Sequence, residues 1–347
     1  MSHTTFITEK IEKYPYPPGV CIVILNWNDW KNTISCIESL SKVRYPNYNI
    51  IIVDNASQDN SVEKITEWIR KKTNFEFAEI TKNDVEKKGR ILKKFPRVVL
   101  IKNDKNYGAP EGFNIGISLA LSAFSCKYIL RLDNDVVLTP DFLDELVNIL
   151  ESDEGIGIVG PKIFFWNLNG RKDIIWFAGG KADINSGKFY HYRIGRPDKS
   201  KEERIKEVDF ITGCCMLIRR DVFQHVGLFD KKYFIYCEDI DFCLRAKRAG
   251  FKIVYVPTSV IWHKVSTSGG GAFNPRKAYF KYRGMVILIR KFGRLNIKNL
   301  VNVLIDSLCY SYGTFKTNKK DFIFSLINVI KGTTHGIKLT LEKRSKR

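Results

Sequence analysis

The chain has 347 residues, 44% hydrophobic and 27% charged, the proportions of an ordinary globular protein that buries a sizeable core. Its formal net charge of +20 points to an anionic partner, and half of that excess falls in residues 284–347, where 13 Lys and Arg stand against 3 Asp and Glu. The opening MSHTTFITEKIEKY lacks an apolar signal segment, no run of about 18 or more apolar residues occurs, and the 8 Cys show neither a CxxC pair nor regular spacing, so no leader, transmembrane helix or disulfide framework is expected and free thiols in a reducing compartment are.

Residues 1–19 are polar, end in YPYPPG and read as an N-terminal arm. VCIVIL (20–25) is a continuous apolar run of strand length, as a buried parallel strand requires. NWNDW follows, and TISCIESLSKV has helical spacing. NYNIIIVDNAS predicts a second buried strand ending in Asp54, and SVEKITEWIRKK a second helix with Ser61 as its N-cap. This βαβα order implies an α/β fold with an open, mainly parallel sheet and right-handed crossovers. Lys-rich residues 71–94 interrupt it and read as a surface insertion. RVVLIKN (97–103) resumes as a strand, GFNIGISLALSAF is a helix, and CKYILRLDND is a further strand, followed by Pro140 and an acidic helix start. In the second half, short strand-like pieces (GIVGPKIFF, DIIWFAGG, FKIVYVP) alternate with Gly, Asn and Asp turns, which fits a mixed sheet elaborating the first. From Ala278 onward the chain reads helical and aromatic. The expected organisation is a catalytic domain over 20–284, containing the 71–94 insertion, and a basic helical C-terminal segment over 285–347.

Ligands of open α/β sheets bind beyond the carboxyl ends of the strands. Three polar clusters fall there: Asn26 to Asp29, Asp54 to Asp59, and Asp133 to Asp135. One such cluster would be an ordinary turn; three on successive strands mark a site. Asp54 can accept hydrogen bonds from ribose hydroxyls or a base N–H. The loops contain neither GxxxxGK[ST] nor GxGxxG, so a glycine cradle for phosphates is absent. Asp133 and Asp135 can neutralise phosphates through Mg²⁺ or Mn²⁺, hard cations that prefer oxygen ligands. Glu238, Asp239 and Asp241 cluster just before the predicted helix FCLRAKRAG. Acids suit a helix N-terminus, and Asp241 with Arg245 is an i, i+4 pair. Three acids this close also raise the pKa of at least one, the condition for a general base. His263 ends a strand-like run before a Gly-rich loop, and its imidazole can complete a site begun by Asp135. His3, His191, His225 and His335 have no comparable setting, and adjacent Cys214 and Cys215 do not read as a metal pair.

VILNWN, IIIVDNASQDNS, NYGAPEGFNIG, LRLDNDV, TGCCMLIRR, GLFDKKYFIYCEDIDFCLRAKRAG and Trp262–His263 together resemble the inverting family 2 glycosyltransferases, nearest to their rhamnosyltransferase-like branch. The resemblance spans roughly residues 20–284, in the family's order. It implies a GT-A fold, and it places a nucleotide-diphosphate sugar against Asn26 and Asn28, against Asp54, Asn55 and Ser57, and against Asn106, Gly108 and Asp133. It makes Asp133 and Asp135 the motif for Mn²⁺ or Mg²⁺, His263 a further metal ligand, and Asp239 the catalytic base with Glu238 beside it. The implied donor is a UDP-, dTDP- or GDP-linked sugar, and the implied acceptor a saccharide or polyprenyl-linked saccharide. Trp176, Phe177, Gly179, Gly180, Thr212 and Gly213 are expected on the acceptor side.

Two other readings fit fewer residues. DNDVV matches the DxDx[TV] pattern of haloacid dehalogenase-type phosphatases, with Asp133 as covalent nucleophile, but that motif normally lies on a first strand and here two or three strands precede it. The charge alone suits a nucleic-acid-binding module, yet no zinc finger, RRM or helix-turn-helix signature is present. GMVILIRKFG, NLVNVLIDSLCYSYGTF and DFIFSLINVIKG, which mix apolar residues with flanking Lys and Arg, suit helices lying on an anionic membrane at its cytoplasmic face.

Overall fold

The computed structural model describes residues 17–87, 96–198, 204–265 and 274–341. Most of the predicted arm, part of the Lys-rich stretch and the Gly-rich loop after His263 lie outside the described residues.

The first half is β1 (Val20–Asn26), α1 (Trp30–Leu40), β2 (Tyr48–Asp54), α2 (Ser61–Lys72), β3 (Phe77–Thr81), α3 (Lys82–Glu86), β4 (Val98–Lys102), α4 (Ala109–Ala123) and β5 (Tyr128–Asp133). β6 (Val136–Leu138), α5 (Phe142–Ser152), β7 (Ile156–Phe165), β8 (Ile175–Phe177), β9 (Gly180–Asp183), β10 (Lys188–His191) and β11 (Lys206–Glu207) follow. β12 (Cys215–Arg219), α6 (Arg220–Val226), α7 (Glu238–Arg248) and β13 (Lys252–His263) complete the sheet region, and α8 (Pro275–Phe292), α9 (Ile297–Thr317) and α10 (Asp321–Leu341) close the described chain.

The main sheet runs β11-β13-β7-β12-β5-β1-β2-β4-β3, with β6 paired to β13 and β8 to β7. β1, β2, β4 and β5 are parallel and apolar on both faces, because helices cover both sides. Chain order reverses at β1: β2 lies on one side and β5 on the other. Register brings Asn26 beside Asp54 and Leu25 beside Asp133, so the polar strand ends meet at this switch point. β12 then pairs antiparallel with β5, and the long β13 runs parallel to β7 and antiparallel to β6. Its last residue, His263, stands opposite Val136, next to Asp135.

Two local expectations are corrected. The Lys-rich segment is not wholly an insertion, since Phe77–Thr81 forms the parallel edge strand β3 on β4. The N-cap of α2 is Asn60, and Ser61 is its first helical residue. The helix α8 runs continuously across residue 284.

Helix α4 packs onto β1 and β2 through Gly116. A Cβ there would lie 2.5 Å from Val23 Cγ1 and 2.9 Å from Val53 Cγ2. Gly116→Val is expected to destabilise the fold by about 1–3 kcal/mol through overpacking. A urea midpoint equal to that of the wild type would show that the helix–sheet spacing adjusts freely.

Candidate active site

The loops after β1, β2 and β4 are tied to one another by side chains. Asn26 Nδ2 donates to Asp54 Oδ1 at 2.7 Å, and the Ser57 hydroxyl and amide donate to the same carboxylate at 2.6 and 3.0 Å. Thr33 of α1 donates to Asn26 Oδ1 at 2.7 Å. Asn28 is exposed and left-handed at φ 52°; its amide donates to Ser57 Oγ at 2.9 Å and its Oδ1 accepts the Gln58 amide at 2.7 Å. Buried Asn55 donates to Asn106 Oδ1 at 2.9 Å and to the Gly108 carbonyl at 3.2 Å. It accepts from Asn103 Nδ2 at 3.0 Å and from the Tyr107 amide at 3.2 Å. Asn106 Oδ1 also accepts the Gly108 amide at 2.8 Å. Gly108 has φ 79° and faces Phe234, with no room for a Cβ. This edge is fixed by the protein's own bonds, a preorganised surface for a polar ligand.

The acidic turn after β5 is held equally firmly. The Asp133 amide donates to the Cys214 carbonyl at 2.9 Å, and Asn134 Nδ2 donates to Thr33 Oγ1 at 3.0 Å. His263 Nε2 lies 3.0 Å from Asp135 Oδ1, and its buried Nδ1 has no hydrogen-bond partner among the described residues. Burial and then the neighbouring Asp135 charge push the Asp133 carboxyl up to about 7. Burial opposes protonation of His263, but the charge and hydrogen bond of Asp135 outweigh it and raise its pKa. Asp133, His263 and Cys214 each bring one ligand atom within 4.8 Å of the others. Cys214 therefore lies within this cluster, a position that its place in the sequence did not single out. Burial pushes its thiol well above the usual range. Closely spaced acids, an orphaned imidazole nitrogen and a hard donor set fit a divalent cation.

A second acid pair lies across the same edge. Helix α7 begins at Glu238, so Glu238, Asp239 and Asp241 occupy its first turn rather than preceding it. The turn leading into it is strained: Phe234, Tyr236 and Cys237 have φ of 62°, 68° and 70°. Half-buried Asp239 accepts the Gly213 amide on Oδ2 at 2.9 Å and the Ile240 amide on Oδ1 at 2.8 Å. Gly213 adjoins Cys214, so one backbone segment links Asp133 to Asp239. Glu238 points inward and pairs with Arg131 at 2.6 Å, both fully buried. Burial raises the Glu238 pKa against the charge of Arg131. Asp241 accepts from Arg245 Nε at 2.8 Å and from the Tyr233 hydroxyl at 3.0 Å, a structural role as its spacing implied.

A family profile described as "Glycosyltransferase like family 2" matches residues 17–281. This chain belongs to glycosyltransferase family 2. Rhamnosyltransferase WbbL of Escherichia coli is 36% identical over 208 residues, covering 55% of this chain and 76% of WbbL. The N-acetylglucosaminyl-diphospho-decaprenol L-rhamnosyltransferase of Mycobacterium tuberculosis is 40% identical over 79 residues, 22% of this chain and 24% of that protein. Among solved structures, the mannosyltransferase PcManGT of Pyrobaculum calidifontis superimposes with a TM-score of 0.54 at 13% identity, covering 95% of this chain and 81% of that one. The shared architecture is the GT-A fold, a mixed sheet flanked by helices with a helical C-terminal region. The chain spans less than half the length of several curated relatives it matches, 25%, 46% and 24% of three of them.

In this family 2 chain the expected acceptor-side residues form a second wall. Trp176 of β8 stands edge-on to His263 with ring centroids 4.4 Å apart. Thr212 is buried and accepts the Cys214 amide at 3.4 Å, while Gly180 lies against the Phe210 ring with no room for a Cβ. Buried Phe177 packs at 6.2 Å from Phe210, and Gly179 supplies φ 92° between β8 and β9. Sequence reasoning missed Arg131, although a charge inside the apolar run YILRLD is the mark of a buried pair. It also passed over His191, which lies 5.0 Å from Trp176 and whose pKa burial lowers to about 4. His191 thus shares the aromatic wall of His263, a setting its surface-like flanks KFYHYR conceal.

Proposed function

We propose that this protein is a metal-dependent inverting glycosyltransferase that moves a sugar from a UDP-, dTDP- or GDP-linked donor to a saccharide or polyprenyl-linked saccharide in glycan assembly. The observation that carries the reading is the segment Thr212–Cys214, which hydrogen-bonds the DND turn at one end and Asp239 at the other. It sets an anion-handling centre beside a carboxylate at the open edge of the sheet. The relatives support it: WbbL is named a rhamnosyltransferase, and the Mycobacterium relative's name specifies a lipid-linked saccharide. PcManGT holds GDP-Man and Mn²⁺ on the same fold.

In this reading the nucleotide lies along Asn26, Asn28, Asp54, Asn55 and Ser57, and Asn106 and Gly108 line the donor site. Asp133, Asp135 and His263 would hold Mn²⁺ or Mg²⁺, which supplies positive charge to the departing diphosphate. Asp239 takes the proton of the acceptor hydroxyl. The acceptor oxygen bonds to the anomeric carbon from the face opposite the diphosphate, and the electron pair of the old C–O bond leaves with the nucleoside diphosphate. One displacement inverts the centre, so no enzyme nucleophile is required. Trp176, Gly180, Thr212 and Gly213 line the acceptor's approach. Eight free cysteines suit a reducing compartment, the cytoplasmic side of a membrane. Asp133 ends β5, with four strands before it in the chain, which gives the phosphatase reading no support.

The test is nucleoside diphosphate release from a panel of such donors with Mn²⁺, with Mg²⁺ and with EDTA, together with a thermal-shift titration of Mn²⁺. One donor is expected to turn over, EDTA to stop it, and Asp135→Ala to abolish the Mn²⁺-induced rise in Tm. Undiminished turnover in EDTA overturns the metal assignment. No release and no donor-induced shift across the whole panel overturns the proposal.

A further inference from the structure

Helices α9 and α10 turn several polar and small residues inward and leave most of their large apolar residues outward. Beside apolar Val303 and Tyr310, the inner face of α9 carries buried Asn299, Ser307, Ser311 and Thr314. These are satisfied locally, Ser311 by Ser325 of α10 at 3.1 Å and Thr314 by the Ser311 carbonyl at 2.6 Å. The inner face of α10 is Ser325, Val329, Gly332 and Gly336, and its glycines lie against the backbone carbonyls of Tyr279 and Arg283 in α8. The outer row of α9 is Leu300, Leu304, Leu308 and Tyr312 at helical spacing, with Leu304 57% and Tyr312 55% exposed. On α10 the outer row is Ile323, Ile327 and Ile330, with Ile323 68% exposed. A helix on a water-soluble surface shows the reverse arrangement. A contiguous apolar face of two helices marks a surface with a partner.

We propose that this face is a docking surface for an anionic lipid bilayer, with α9 and α10 lying in the interface plane. Neither helix is long and apolar enough to cross a membrane among the described residues. Charge selects the occupant: residues 284–347 hold 13 Lys and Arg against 3 Asp and Glu, and exposed Lys298, Lys316, Lys319, Lys320, Lys331 and Lys338 belong to these helices and the turn between them. Two copies meeting through this face would oppose like charges, whereas anionic headgroups neutralise them as the apolar row enters the acyl boundary. The face is also joined to the acceptor wall. Asn299 Nδ2 donates to the carbonyls of Ile184 and Asn185 at 3.2 and 2.8 Å, and Asn302 Nδ2 to that of Ser186 at 2.8 Å. These carbonyls lie in the turn of the β9–β10 hairpin that Gly180 opens. Resting on the proposed function, this contact sets the docked face beside the hairpin that carries Gly180, one of the residues expected on the acceptor side.

The test is flotation of the full chain with vesicles of phosphatidylcholine alone and of phosphatidylcholine with phosphatidylglycerol, beside light scattering of the free protein. The wild type is expected to float with the anionic vesicles only, and high salt to weaken that binding. The double change Leu304→Glu, Leu308→Glu is expected to reduce the bound fraction by about tenfold or more with Tm unchanged, because both side chains face solvent. Lys319→Glu, Lys320→Glu, which leaves the apolar row intact, is expected to weaken binding to anionic vesicles as well. Absence of flotation by the wild type overturns the proposal, and so does flotation that all four substitutions leave intact. A dimer that dissociates in Leu304→Glu, Leu308→Glu, with no vesicle binding, assigns the face to a second copy instead. Donor turnover is read in vesicle-free buffer, so failure of sugar transfer and failure of docking are separate results.

Discussion

Asp239→Asn is expected to lower turnover by about 10²–10⁴-fold while donor affinity stays close to that of the wild type, the span a positioned general base contributes. The substitution is nearly isosteric. Its amide oxygen can still accept the Gly213 N–H that Asp239 Oδ2 accepts at 2.9 Å, at the loss of the Ile240 N–H that Oδ1 accepts at 2.8 Å, so the segment leading to the acidic turn keeps its place. What is lost is an oxygen that can take a proton. Asp239 and the nucleotide edge are on different elements, α7 against the loops after β1, β2 and β4, which is why binding and chemistry separate. Acceptor-dependent nucleoside diphosphate release, read beside calorimetric donor binding, measures both. Intact turnover would remove Asp239 from the mechanism, and loss of donor binding in parallel with turnover would make its role positional.

Arg131→Met is expected to destabilise the fold by about 3–5 kcal/mol, the cost of leaving one member of a buried ion pair without its partner. Arg131 and Glu238 are 4% and 3% exposed and 2.6 Å apart, and the guanidinium lies over the rings of Phe113 and Phe229 at 4.4 and 4.9 Å. Glu238 already titrates above its usual range because it is buried. Without Arg131 it binds its proton more tightly still. Between the unfolded and folded pKa values the folded state then holds more protons than the unfolded one, so stability falls as pH rises through that window. The deficit of Arg131→Met should therefore be smaller at acid pH than at alkaline pH. Adding Glu238→Gln, which keeps shape and discards the charge, should restore part of the loss. A denaturant midpoint unmoved in Arg131→Met would show that the pair contributes nothing to the fold.

The apolar runs VCIVIL and NIIIVD made the parallel strands legible, since burial on both faces leaves no other pattern. The polar residues closing those runs made the site edge legible too. Asn26, Asp54, Asp133 and His263 do meet there, although the last two are 130 residues apart. Long-range pairing was not legible. Nothing in SVIWHK states that β13 crosses to β6, and only that pairing sets His263 beside Asp135. β3 was obscured because Lys-rich flanks dominate its composition. The inversion of α9 was half visible: the apolar periodicity could be read, but which side faces the protein is decided by the hairpin carbonyls that Asn299 and Asn302 meet. Glu238 shows the same limit, as spacing grouped it with Asp239 but only packing turned it away toward Arg131.

The pairing of β13 with β6 also orders events during synthesis. Chains fold from the N-terminus as they emerge, and β1 to β5 with their covering helices can close a parallel half-sheet early. That half already carries the Asn26–Asp54–Ser57 edge and both acids of the DND turn. It does not carry the imidazole that bonds Asp135, which arrives with the last residue of β13. A nascent or truncated chain that stops short of this strand therefore holds the Asn26–Asp54–Ser57 edge while the acidic turn lacks its imidazole partner, and on the proposed function such a chain is expected to transfer no sugar.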